Sequence, residues 1–109
     1  MDESVKRGEV WFADLGGDRG DRPVLVLTRD PVADRIEAVV VAQLTRTVRG
    51  LASELPVGKA DGLGLECVVS FDNVLTVPAR SMRRRVTTLS GHRMNQACIA
   101  LNAALGCQR

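Results

Sequence analysis

Apolar positions fall along this chain in two rhythms. Over the first 89 residues they come in short blocks: "EVWFADL" at 9 to 15, "RPVLVLTR" at 22 to 29, "IEAVVVAQLT" at 36 to 45, "ASELPV" at 52 to 57, "CVVSF" with "NVLTV" across 67 to 77, and "RRRVTTL" at 83 to 89. Their valine, isoleucine and threonine content, bounded by turn residues, predicts strands. Several blocks are continuously apolar instead of alternating, which predicts strands covered on both faces at the middle of a small barrel or sheet. Between them, "GGDRGD" at 16 to 21, "DPVADR" at 30 to 35 and "GKADGLGLE" at 58 to 66 read as loops, rich in glycine, proline and aspartate.

From Ser90 the spacing changes. "SGHRMNQACIALNAALG" sets Met94, Ala97, Cys98, Leu101, Ala104 and Leu105 three and four residues apart, one face of a helix, with Ser90 as its N-cap and Gly106 as its C-terminal stop. Six or seven short strands and one terminal helix predict a mostly antiparallel β-barrel with the helix packed on it, one domain covering residues 1 to 109. Such a barrel removes edge strands and leaves its loops free to build a site.

Composition narrows the class without changing this picture. The chain is 45% apolar and 26% charged, the balance of a globular domain, so neither disorder nor a fibrous architecture is favoured. No apolar run approaches the roughly 20 residues of a membrane span. "MDESVKRGEV" has no apolar core of a signal peptide, so a cytoplasmic location is expected and no membrane partner.

Three cysteines, Cys67, Cys98 and Cys107, are too sparse for a disulfide framework and are read as small buried apolar residues. With His92 as the only histidine and no CxxC or HxxxH spacing, neither a metal nor another cofactor is expected. His92 itself reads as a surface residue.

The net charge of +2 is unevenly spread: residues 1 to 37 hold 6 basic and 9 acidic side chains, residues 38 to 109 hold 9 and 4. Thirteen of the 15 basic residues are arginines, whose planar fork suits bidentate phosphate contacts, a lean toward a nucleic-acid partner. With two phenylalanines and one tryptophan, base stacking cannot be extensive, and Trp11 is read as core. There is no P-loop, and "DGLGLE" lacks the Lys-Ser/Thr of a phosphate cradle. What remains is a set of polar residues at strand edges: Arg22, Thr45, Arg46, Arg49, Asp72 in "SFDN", and the group Arg80, Arg83, Arg84, Arg85.

The order of the motifs says more than any one of them. "RGEVWFADL", "RPVLVLTRD", "VVVAQLTRTVRGLASELPV" and "CVVSFDNVLTVP", followed by a strand and a terminal helix, resemble the MazF/PemK/Kid family of toxin endoribonucleases over Arg7 to Gly106. The resemblance implies a small SH3-like antiparallel β-barrel with a C-terminal α-helix and a homodimer. It implies metal-independent cleavage of single-stranded RNA (messenger, ribosomal or transfer) at short motifs, and restraint by an antitoxin with an acidic, flexible tail. Residues 16 to 21 would be the variable loop beside the site.

By position, Arg22 and Thr45 match the family's active-site arginine and threonine, and Asp72 matches an acid implicated in some members. Attack of a 2′-OH on its neighbouring phosphate needs a proton acceptor, a cation for the phosphorane and a proton donor for the leaving 5′-oxygen. Arg22 is expected first to stabilise the transition state and second to act as acid, Thr45 to fix the phosphate by a hydrogen bond, and Asp72 to serve as base. Arg19, Arg46, Arg49, Arg80, Arg83 and Arg84 are expected to contact the RNA backbone. Ser70 stands where some members carry a basic residue, "GGDRGD" where they carry a histidine, and Thr87 where relatives usually have glycine. Two alternatives stay open: a topoisomerase poison like the CcdB group, and a non-catalytic RNA- or protein-binding barrel.

Overall fold

A computed structural model describes residues 5–29 and 37–107. The predicted loop at 30 to 35 and the side chain of Arg19 lie outside the described residues. Each predicted block contains one strand: β1 (Glu9–Asp14), β2 (Asp21–Val26), β3 (Ala38–Thr45), β4 (Glu54–Val57), β5 (Cys67–Pro78) and β6 (Met82–Thr88). They form one antiparallel sheet in the order β4-β5-β3-β2-β1-β6, followed by the helix α1 (Gly91–Leu105).

The unbroken apolar run of "RPVLVL" has its reason at the centre of this sheet. Leu25 and Leu27 join one core cluster with Val10, Ala42, Leu44, Val69 and Phe71, while Val24 and Val26 join a second with Trp11, Ala13, Val39, Val41 and Val77. Successive side chains of a strand point to opposite faces, so a strand buried on both faces cannot alternate with polar residues. Trp11 is core as expected: it is buried, and its indole N–H donates to Glu9 Oε1 at 2.9 Å.

The expectation that no edge strands remain is corrected. The sheet curls into a half-barrel whose ends, β4 and β6, are not hydrogen-bonded neighbours. β4 has only four residues, and the chain leaves it into a 3-10 turn at Lys59–Asp61 instead of running along β6. That turn bridges the gap. Thr87 Oγ1 donates to the Asp61 carbonyl at 2.9 Å, and Arg93 Nε of α1 donates to the Asp61 carboxylate at 2.9 Å. Gly62, at φ +90°, lets the backbone pass close under Thr87.

β5 is one bent strand. Gln43 pairs with Ser70 but Ala42 pairs with Val74, so residues 71 to 73 are extra on β5. An insertion of this kind bends a strand and re-aims side chains, and it turns Asp72 outward.

α1 has both predicted caps: Ser90 Oγ accepts from the Arg93 N–H at 3.2 Å, and left-handed Gly106 donates to the Asn102 carbonyl at 2.9 Å. Met94, Ala97, Leu101 and Ala104 meet the first core cluster, together with Ala100, which the predicted stripe omits. Leu105 is corrected: it is exposed, on the flank of the stripe in the last turn. The reading of all three cysteines as buried is corrected as well, since Cys67 and Cys98 are half-buried and Cys107, beyond the cap, is exposed. Among the described residues no helix is long and apolar enough to cross a membrane.

Candidate RNA-binding cleft

The register of β2 against β3 pairs Val24 with Gln43. The pairing ends there, and Arg22 and Thr45 lie two residues further along their strands, at the end of this ladder. Both line one cleft of about 520 Å³, floored by Val10 and Leu44 and walled by Phe12, Pro23 and the segment Leu63 to Leu65. Arg46 and Arg84 line it too. Three arginines and a single carboxylate residue, Asp21, line it, so the cleft favours a polyanion.

Local structure aims each group. Pro23 follows Arg22 in β2, where its fixed φ sets the line of the strand. Arg22 is exposed. Thr45 Oγ1 accepts the Thr47 N–H at 3.1 Å, which fixes the hydroxyl and leaves its hydrogen available to a phosphate oxygen.

The run Arg83, Arg84, Arg85 is divided by its partners. Arg83 pairs with Asp14 at 2.8 Å, and Arg85 pairs with Glu9 at 3.2 Å, whose carboxylate is buried. The Gly16 N–H and then Arg83 hold the Asp14 carboxyl below its ordinary value of 3.8. Arg84 instead lies over the Phe12 ring, 4.8 Å from its centroid.

The other expected residues lie apart. Asp72 is not among the residues lining the cleft, and its Oδ2 accepts from Ser53 Oγ at 2.5 Å. Arg49 and Arg80 are exposed outside the lining. Sequence reasoning missed Asp21, which reads as loop, and Phe12 as a cleft wall; its cross-strand pairing with Arg84 is the signal that only register supplies.

Cys67 also lines the cleft, and burial first, then the charges of Glu66 and Asp61, push its thiol above the ordinary 9.0. It is therefore a thiol, not a thiolate, near neutral pH. No three His, Cys, Asp or Glu side chains gather among the described residues as a metal site. His92 is exposed, as expected. It borders a second cavity of about 620 Å³ between the 3-10 turn and α1, where Arg93 is already bound to Asp61, Gln96 and the Pro56 carbonyl. That cavity holds none of the residues expected to act on RNA.

The family model described as PemK-like, MazF-like toxin of type II toxin-antitoxin system matches residues 6–105. The chain is 57% identical over 104 residues to the probable endoribonuclease MazF2 of Mycobacterium tuberculosis H37Rv, covering 94% of this chain and 100% of the relative. Its fold is similar to that of the M. tuberculosis toxin MazF-mt6, with TM-score 0.84, 36% identity and coverage of 93% and 99% of the two chains. It is also similar to a mycobacterial endoribonuclease in complex with its cognate antitoxin, with TM-score 0.86, 28% identity and coverage of 96% and 98%. With the motif order, the half-barrel and the match over nearly its whole length in agreement, the chain belongs to the PemK-like, MazF-like toxins of type II toxin-antitoxin systems.

Proposed function

We propose that this protein is a toxin endoribonuclease that cuts single-stranded RNA at short motifs without a metal. The observation that carries the proposal is that Arg22, Thr45, Arg46 and Arg84 all belong to the lining of one cleft. The family and the relatives named as endoribonucleases supply the reaction class.

In the proposed reaction the 2′-oxygen attacks the adjacent phosphorus as its proton passes to a carboxylate, the bond from phosphorus to the 5′-oxygen breaks, and that oxygen takes a proton from Arg22, which is reprotonated by the one the carboxylate took up. The products are a 2′,3′-cyclic phosphate and a 5′-OH. Arg22 holds the charge of the phosphorane through two N–H donors, and Thr45 donates to the same phosphate. Asp21, which also lines the cleft, is one candidate for that carboxylate, and Asp72, outside the lining, is the other.

A partner antitoxin with an acidic segment would neutralise the same three arginines and block the cleft. The active form is proposed to be a homodimer in the cytoplasm, with exposed Val40 and Val74 on neighbouring strands as apolar surface for a second copy.

Incubation of the purified protein with RNA in EDTA tests the reading. Cutting that persists and leaves cyclic phosphate ends is expected. Strict dependence on added metal, or salt-sensitive binding with no turnover, would overturn the proposed mechanism.

A further inference from the structure

The cleft contains a feature that phosphate binding does not use. Phe12 on β1 and Arg84 on β6 are direct cross-strand partners, and the guanidinium lies over the ring at 4.8 Å. Arg83 and Arg85, on either side, are each held by a carboxylate, and Arg84 has no carboxylate partner among the described residues. Phe12 and Arg84 both line the cleft, and so does Leu65, which is 58% exposed.

A planar cation backed by an aromatic ring is a seat for another flat π-system, because it offers stacking and cation–π attraction while remaining poorly hydrated on its faces. An exposed leucine beside it adds an apolar wall. We infer that the Arg84–Phe12 stack, walled by Leu65, is a subsite that holds one unpaired nucleobase of the RNA, next to the phosphate held by Arg22 and Thr45. The inference rests on the proposed RNA-cleaving function and adds a recognition element to it. It also assigns different duties to neighbouring arginines: Arg22 takes the phosphate, and Arg84 takes a base.

A phosphate contact by Arg84 would weaken binding whatever the bases are, whereas a stacking seat responds to the removal of one particular base. The probe is therefore a short RNA spanning a cut mapped for the wild-type protein, with a 2′-deoxy sugar at the attacking position to prevent cleavage, and with each base in turn replaced by an abasic nucleotide. Wild type, Arg84→Ala, Phe12→Leu and the double variant are compared for affinity; Phe12→Leu keeps apolar bulk in case Phe12→Ala fails to fold.

One abasic position is expected to weaken wild-type binding by roughly 5- to 150-fold. The same position is expected to cost the double variant little, and Phe12→Leu is expected to reproduce part of the loss with the charge of Arg84 intact. If every abasic position costs the double variant as much as it costs wild type, the subsite is overturned while RNA binding stands. If wild type neither binds nor cuts RNA, the functional reading falls and the subsite falls with it.

Discussion

Ser53 Oγ donates to Asp72 Oδ2 at 2.5 Å, tying the bulge of β5 to the residue just before β4. The acid that the sequence offers as general base therefore has a structural partner, while Asp21 stands inside the cleft. Asp21→Asn is expected to lower the cleavage rate more than Asp72→Asn does, within the roughly 10²- to 10⁴-fold range of a general base. Single-turnover rates on one RNA substrate decide between them, and the reverse ranking would return the role to Asp72.

Arg22→Ala should remove about 2.7–4 kcal/mol of transition-state stabilisation, a rate loss near 10²- to 10³-fold, because a charged donor to the phosphorane is lost. Arg22 is exposed, so the fold should persist, which circular dichroism checks. Thr45→Val should cost about 1.5–3 kcal/mol as one hydrogen bond to a charged group disappears, and Thr45→Ser should recover most of it. Equal activity of the Val and Ser variants would remove the hydroxyl from the mechanism.

Glu54 is 9% exposed and its carboxylate accepts backbone N–H groups from Arg49 at 3.1 Å, Gly50 at 3.0 Å and Leu51 at 3.3 Å. It thereby shapes the loop that begins at the cleft residue Arg46. Glu54→Ala is expected to destabilise the fold by about 1.5–3 kcal/mol in urea unfolding, with Glu54→Gln less damaging because one acceptor oxygen remains.

Gly62→Ala combines two costs. The left-handed backbone penalises a side chain by about 1–2 kcal/mol, and the added Cβ would run into Thr87 Oγ1. The steric part should vanish in a Thr87→Gly background, so the two substitutions should be non-additive in a double-mutant cycle of unfolding free energies. Strict additivity would mean that the contact across the sheet gap is absent.

Thiol reactivity should follow burial and charge. The Cys67 thiol is shifted upward, so at a given pH less of it is thiolate, and the thiolate is the nucleophile. Near pH 8, iodoacetamide should modify exposed Cys107 well before Cys67, and Cys67 should catch up as pH rises. Peptide mapping by mass spectrometry reads the order.

The elements and their caps are legible in the order of the residues. Branched apolar blocks between glycine-rich turns can be little other than strands, and the three-and-four spacing after Ser90 can bury one face only as a helix. Motif order also pointed to Arg22 and Thr45. Tertiary structure decided which arginines are available. Arg83, Arg84 and Arg85 are the same residue three times in the string, and only strand pairing hands two of them to Asp14 and Glu9 and sets the third over Phe12. It also decided that Asp72 lies outside the cleft lining and Asp21 within it, since a three-residue bulge leaves no mark in the pattern of apolar positions. Pattern records which side chains must leave water; register decides which of the remaining charges meet.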